Sequence, residues 1–142
     1  MMRAGTYYVG DLCYVMKEKW DDVIDKMYPN GYDESCEGEL MTSDGTKFAY
    51  YRTAHGDGTY YDQMGNQYSV DAGLIGCVLW DDILDTENAE HIVKYRHGAK
   101  ITFDYDFYVS YEPAGGLISI GNVTIETDPE EDDYYDEEDE EY

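Results

Sequence analysis

The sequence predicts an α+β fold that is mainly antiparallel β, a meander or small barrel-like sheet with one covering helix and a disordered acidic C-terminal tail. Short runs rich in β-branched and aromatic residues alternate with turn residues, and one segment has a clear helical period. Leu, Ile, Val and Phe supply only 25 of 142 residues, a share typical of disordered chains when the charge is high. The 17 tyrosines compensate, since each ring can bury about 150 Å² or more while its hydroxyl stays near water.

Six runs are predicted as strands: residues 6–9, 47–51, 101–103, 107–111, 117–120 and 123–126. Gly, Asn and Asp accept the positive φ of tight turns, and such residues separate extended runs at 43–46, 64–66 and 121–122. Several hairpins in a row predict an antiparallel sheet.

The helical segment has apolar residues at i, i+3, i+4 and i+7, namely Trp20, Val23, Ile24 and Met27. The pattern ends at the Pro-Asn-Gly of residues 29–31 and predicts a helix over 19–27, packed on the sheet through Trp20 and Ile24. A second, shorter candidate helix spans 79–84. Both tryptophans are interpreted as core residues.

Three tyrosine doublets precede the acidic C-terminal tail, at 7–8, 50–51 and 60–61. Because adjacent side chains of a strand point to opposite faces, each doublet is predicted to place one ring in the core and one outside. The outer rings are either ordinary sheet surface or a contact face, which would also suit a two-fold homodimer.

The charge excludes several kinds of partner. With 33 Asp and Glu against 9 Lys and Arg, the net charge is -24, which opposes direct binding to nucleic acid or to an anionic membrane. Apolar runs fall short of the roughly 18 residues that span a bilayer, and the first residues do not read as a secretion signal. The expected location is the cytoplasm of a bacterial host. The three cysteines, Cys13, Cys36 and Cys77, are odd in number and are expected to stay reduced there.

One sharp boundary divides the chain into a compact β-rich domain, residues 1–127, and an acidic tail, residues 128–142. The tail holds 11 carboxylates and no Lys or Arg, so it cannot bury enough apolar surface to fold alone. An extended chain advances about 3.3 Å per residue, close to the charge spacing of about 3.4 Å along one nucleic-acid strand. Six consecutive acids between tyrosines could therefore imitate such a strand.

Two segments of the chain carry a resemblance. They are YYVGDLCYV at residues 7–15, followed by a Trp-Asp helix, and DGTYYD at 57–62, which runs on to VDAGLIGC at 70–77. These segments resemble a set of small uncharacterised proteins encoded by tailed bacteriophages and some bacteria. The resemblance covers roughly residues 6–80, implies a phage or bacterial setting and assigns no catalytic residue. The long acidic tail departs from that set.

Charge and resemblance together predict a non-enzymatic acidic nucleic-acid mimic. It would occupy the basic nucleic-acid-binding site of a host protein, a nuclease or other defence effector, as an anti-restriction or anti-CRISPR type of inhibitor. The partner-binding residues predicted in the domain are Asp57, Asp62, Asp71, Asp81, Asp82 and Asp85. Those predicted in the tail are Tyr134, Tyr135, Asp136, Glu137, Glu138, Asp139, Glu140 and Glu141.

Two other functions stay open. An acidic chaperone or adaptor would shield a basic partner without blocking its activity. A small metal- or thiol-dependent hydrolase would use His55, Asp57, Asp62 and Cys13, with Asp71 as a further cation ligand. The leading prediction needs no cofactor, no metal and no catalytic residue, and it treats His91 and His97 as surface residues of a strand-loop region.

Overall fold

The computed structural model describes residues 1–31, 35–95 and 97–128. Its strands are β1 (Gly5–Gly10), β2 (Gly38–Met41), β3 (Lys47–Arg52), β4 (Gly58–Tyr61), β5 (Gln67–Val70), β6 (Leu74–Leu79), β7 (Gly98–Phe103), β8 (Val109–Glu112), β9 (Leu117–Ile120) and β10 (Val123–Glu126). The α-helices are α1 (Trp20–Met27) and α2 (Thr86–Lys94). Short 3-10 helices span Leu12–Tyr14, Lys17–Lys19, Trp80–Asp82 and Ala114–Gly116.

A five-stranded antiparallel sheet in the order β2-β3-β6-β1-β7 forms the centre of the fold. Strand β1 lies between β6 and β7, and its Val9 is opposite Cys77 on one side and Ala99 on the other. The remaining strands form a three-stranded sheet, β10-β9-β8, and a two-stranded hairpin, β4-β5. The predicted α+β class with mainly antiparallel strands is confirmed.

Both faces of the central sheet are covered. On one face, Tyr8, Phe48 and Val78 pack with residues of α1 and α2, such as Val23 and Ala89. On the other face, the core is shared with the smaller sheets, through residues that include Tyr68, Ile118 and Ile125. The domain is therefore a stack of helices, central sheet and small sheets.

The prediction of one inner and one outer ring for each tyrosine doublet is wrong for the two doublets on the central sheet. Tyr7 and Tyr8 do point to opposite faces, yet they are only 1% and 0% exposed because each face is covered. Tyr50 is buried, and Tyr51 stacks on a tyrosine of β8 with ring centroids 5.7 Å apart. Only the doublet on β4 follows the prediction, with Tyr61 56% exposed.

All six predicted strands are present, with two boundaries shifted by two or more residues. Strand β7 begins three residues before the predicted run 101–103, at Gly98. The run 107–111 becomes strand β8 only from Val109, while Phe107 forms an isolated bridge with Met2. The predicted turns at 43–46, 64–66 and 121–122 connect β2 to β3, β4 to β5 and β9 to β10.

Helix α1 is confirmed, but its buried residues are Val23 and Met27, whereas Trp20 and Ile24 are half-buried at the edge of the contact. The predicted helix over 79–84 is wrong and shrinks to the 3-10 turn Trp80–Asp82.

A second α-helix, α2, follows that turn and was not predicted from the sequence. Asp85 caps it by accepting a hydrogen bond from the Asn88 N–H at 3.0 Å. His91 is exposed as predicted, but it lies on this helix, so its predicted place in a strand-loop region is wrong.

Candidate acidic interface

One end of the central sheet is defined by three strand termini. Strand β1 starts at Gly5, and the antiparallel register places Gly5 opposite Phe103, the last residue of β7. The same register places Tyr7 opposite Leu79, the last residue of β6. The segments that leave β6 and β7, residues 80–85 and 104–108, therefore emerge at the same end of the sheet.

Six carboxylates gather around these two segments and are called here the acidic end: Glu18, Asp81, Asp82, Asp85, Asp104 and Asp106. All are exposed except Asp82, which is half-buried. Glu18 joins the group because it lines a small cleft together with Asp82 and Leu84, whose side chain is 65% exposed. Among the described residues, none of the six carboxylates is within 4.0 Å of a Lys, Arg or His nitrogen.

Lys19, which directly follows Glu18 in the chain, is bound to other partners. Its ammonium pairs with the Asp44 carboxylate at 3.3 Å and donates to the Asp82 backbone carbonyl at 3.5 Å. Hydrogen bonds from Thr42 and then from Lys19 lower the pKa of Asp44 to about 2. Lys19 thus neutralises Asp44 and leaves the carboxylate of Asp82 without an ion pair.

The loop over residues 104–108 is held firmly by the N-terminal segment. Met2 and Phe107 exchange two backbone hydrogen bonds at 2.8 and 2.9 Å, and the Ala4 N–H donates to Asp106 Oδ1 at 2.8 Å. The loop presents Tyr105 and Tyr108, which are 82% and 68% exposed. The sequence analysis missed this loop, although its alternation of Asp with aromatic residues was a visible signal.

Two of the predicted partner-binding residues, Asp57 and Asp71, lie at the opposite end of the sheet. There, the Thr53 N–H donates to the Gly73 carbonyl at 3.0 Å, which brings the segments around Asp57 and Asp71 together. Both carboxylates are exposed. Burial first, and then the nearby Asp71 carboxylate, raises the pKa of Tyr14.

Asp62, also predicted to bind a partner, is a buried structural residue with 7% exposure. Its carboxylate accepts hydrogen bonds from the Met64 N–H, the Asn66 N–H and the Asn66 side-chain amide, each at 2.9 Å, and from the Tyr68 hydroxyl at 2.8 Å. Burial alone would raise the pKa of Asp62, but these hydrogen bonds outweigh it and lower the pKa. Asp62 therefore does not belong to the exposed acidic surface.

A second buried carboxylate, Asp11, was missed by the sequence analysis. It is 0% exposed and accepts hydrogen bonds from the Cys13 N–H at 3.0 Å, the Asp71 N–H at 2.7 Å and the Ala72 N–H at 2.6 Å. Asp11 thus ties the segment after β1 to the turn between β5 and β6.

The residues of the hydrolase alternative do not assemble into the predicted arrangement. His55 pairs through Nε2 with the Asp128 carboxylate at 2.8 Å, while Asp57 is exposed and Asp62 is engaged in its turn. Burial and then Asp11 raise the pKa of the Cys13 thiol, the reverse of what activates a nucleophile. Within residues 1–31, 35–95 and 97–128, no group of three His, Cys, Asp or Glu residues could hold a metal ion.

The tail residues predicted to bind a partner lie outside the described residues: Tyr134, Tyr135, Asp136, Glu137, Glu138, Asp139, Glu140 and Glu141. Asp128, the first residue of the predicted tail, is described and packs on the domain. Its backbone N–H donates to the Gly115 carbonyl at 2.9 Å.

Comparison with known proteins finds no matching protein family, no similar curated protein and no similar solved structure. In the described part of the chain, no helix has the length and apolar character needed to cross a membrane.

Proposed function

We propose that this protein is a non-enzymatic acidic inhibitor that occupies the basic nucleic-acid-binding site of a host protein, using the acidic end of its central sheet. The observation that carries the proposal is the gathering of six carboxylates at one end of the sheet, none of them in an ion pair among the described residues. Carboxylates without an internal partner keep their charge available for cations on another protein.

The other charges of the domain are consistent with this role. The ion pairs of the described residues use a different set of acids: Asp22, Glu39, Asp44, Glu90 and Asp128. The chain as a whole has a net charge of -24. Such a field steers the protein toward a cationic channel and away from nucleic acid itself.

The identity of the host protein as a nuclease or other defence effector rests on the resemblance to bacteriophage proteins alone. That resemblance concerns residues 6–80, which include Asp57 and Asp71 but not the loop over 104–108. The phage setting is therefore a separate part of the proposal and has its own test, the identity of the captured partner.

A capture and competition experiment tests the function. The protein is immobilised, exposed to bacterial lysate at low salt and eluted with rising salt, and each nucleic-acid-binding protein recovered is then assayed for DNA binding. An inhibitor must displace DNA from its target as its concentration rises. A stable complex that contains all three components would contradict inhibition and support the adaptor function.

Matched variants locate the contact. The test variant combines Asp81→Asn, Asp82→Asn and Asp104→Asn, which keep side-chain shape and remove three charges from the acidic end. The control variant removes three exposed charges elsewhere through Asp21→Asn, Asp25→Asn and Asp57→Asn. We expect the test variant to compete less well than the wild type. Its binding should also depend less steeply on salt, because fewer charges remain at the contact for salt to screen. Equal losses in both variants would show that only total charge matters.

The tail forms a further arm of the same experiment. Its six consecutive acids, Asp136, Glu137, Glu138, Asp139, Glu140 and Glu141, are replaced by Asn and Gln in the full-length chain. If the acidic end of the sheet carries the contact, the tail variant associates more slowly but still displaces DNA. Loss of displacement in the tail variant, with the acidic end intact, would move the proposed contact to the tail.

A further inference from the structure

An open pocket of about 430 Å³ lies beside the loop over residues 104–108, within the acidic end. Its lining combines three aromatic side chains, two carboxylates and the turn between β9 and β10, through Phe103, Tyr105, Phe107, Asp104, Asp106 and Gly121. Its volume falls at the lower end of the range of about 300 to 1,000 Å³ for ligand pockets. The pocket is therefore large enough to admit a side chain of a partner protein.

The floor of the pocket is aromatic and rigid. The rings of Phe103 and Phe107 stack with centroids 4.1 Å apart, and Tyr7 packs edge-on against them at 5.8 and 5.1 Å. Both phenylalanines are only 6% exposed, so their rings are fixed by the core.

Gly121 allows the wall of the pocket to approach this floor closely. A Cβ at this position would lie 2.9 Å from a ring carbon of Phe103, and the φ of +59° is one that other residues rarely adopt. The Gly121 N–H also donates to the Tyr108 carbonyl at 3.0 Å, which joins the turn to the loop. The pocket is thus a built part of the fold and not a gap between mobile loops.

The rim of the pocket carries negative charge and one exposed ring. Asp106 is held through Oδ1 by the Ala4 N–H, and Asp104 on the other side of Tyr105 is exposed. Neither carboxylate has an ion-pair partner among the described residues. Tyr105 lines the pocket and is nevertheless 82% exposed, so one part of its ring is accessible to a partner.

We propose that this pocket binds the guanidinium group of an arginine from the basic partner. A guanidinium is planar, weakly hydrated and always charged, so it can stack on the Tyr105 ring while its N–H groups bond to Asp104 and Asp106. An ammonium is compact and strongly hydrated and gains less from an aromatic wall. The inference deepens the proposed function, and it rests on that function for the basic nature of the partner.

Two peptides of equal charge serve as probes, one with three arginines and one with three lysines in the same glycine-serine background. Tyrosine ring signals of the full-length protein are followed by nuclear magnetic resonance during titration. We expect the arginine peptide to bind about two- to fivefold more tightly, the range that a cation–π contact gives at an exposed site. The ring signal of Tyr105 should move further with the arginine peptide than with the lysine peptide at equal saturation.

Three variants identify the contact. Tyr105→Leu should abolish the preference for arginine, whereas Tyr61→Leu, which removes another exposed ring from β4, should preserve it. Asp104→Asn should weaken binding of both peptides. Asp106→Asn should also weaken both while keeping an oxygen that can accept the Ala4 N–H, so the loop stays in place.

The outcomes separate this inference from the proposed function. Equal affinities for both peptides, with salt-dependent binding at the acidic end, would overturn the arginine pocket and leave the proposed function standing. A preference for arginine that survives Tyr105→Leu would also overturn it. Failure of both peptides to bind at low salt would contradict the two proposals together.

Discussion

Replacing Asp62 should destabilise the domain without any role in partner binding. Its carboxylate accepts four hydrogen bonds and is 7% exposed. Hydrogen bonds to a charged group contribute about 1.5–3 kcal/mol each, and a buried donor that loses its acceptor keeps its desolvation cost. Asp62→Ala leaves the buried Tyr68 hydroxyl without its acceptor, at a cost of about 2 kcal/mol. The three donors of the turn lie nearer to water and add about 1–2 kcal/mol together.

The expected loss in the free energy of unfolding is therefore about 3–4 kcal/mol, with a fall in Tm of about 10 °C. Urea unfolding followed by the fluorescence of Trp20 and Trp80 measures it. Asp62→Asn should cost less, because the amide oxygen still accepts from the backbone of the turn. Asp57→Ala is the control, since an exposed carboxylate should change stability by about 0.5 kcal/mol or less.

A cost below about 1 kcal/mol for Asp62→Ala would refute the reasoning, since it would mean that water replaces the carboxylate at all four donors. An equal cost for Asp57→Ala would refute it as well, because net charge and not the turn would then be the cause.

The remaining predictions concern pH, the thiols and one close backbone contact. The lowered pKa of Asp62 means that its stabilisation is present above the unfolded value of about 3.9 and is lost as pH falls through the folded value, so the difference between wild type and Asp62→Asn should shrink below about pH 4. A thiol reagent should label the exposed Cys36 first, Cys13 more slowly because its pKa is raised, and the buried Cys77 only on unfolding; rapid labelling of Cys77 in the native protein would contradict its burial. Cys77→Ser should cost about 1–3 kcal/mol in urea unfolding by burying a hydroxyl. Gly76→Ala should cost about 3 kcal/mol or more, because its Cβ would lie 2.1 Å from a carbonyl oxygen of β3, and a variant of wild-type stability would show that the strands can separate there.

The hairpins were predictable because their signals are local. Gly45, Gly65 and Gly121 all have positive φ in the turns where glycine was expected. By contrast, the burial of both rings in the doublet at 7–8 depends on layers contributed by distant parts of the chain. Alternation along a strand predicts opposite faces correctly, but it says nothing about whether each face is covered.

A strand that is buried on both faces, or a helix that is mostly exposed, has only a weak hydrophobic periodicity in its sequence. Strand β6 is buried at five of its six positions, so it shows no alternation of polar and apolar residues that would have marked it as a strand. Helix α2 is mostly polar and buries fully only Ala89, so its periodicity is faint. Its cap was the better signal, because Asp85 precedes Thr86 and bonds to the third residue beyond it.

The candidate site was only partly predictable. Asp81, Asp82 and Asp85 were selected from the sequence and share one segment, but their position at the same end of the sheet as Asp104 follows from the register of β1 with β6 and β7. Asp62 was selected for its charge, although an Asp three residues before Gly65 in a tight turn is a typical capping position. Residue type alone could not separate a turn-forming carboxylate from an available one.

The abundance of tyrosine connects the composition of the chain to the rigidity of the acidic end. The ring of Tyr7 supports Phe103 and Phe107 in the core, and its hydroxyl donates to the Arg3 carbonyl at 2.7 Å. The same N-terminal segment holds the loop over residues 104–108 through its backbone. An aliphatic residue could fill the same space but could not hold that segment, because it lacks the polar group at its tip. Tyrosine thus allows a chain with few aliphatic residues to form a core on each face of the central sheet and to hold the loop over residues 104–108 in place. The carboxylates of that loop are then already ordered before any contact with a cationic surface.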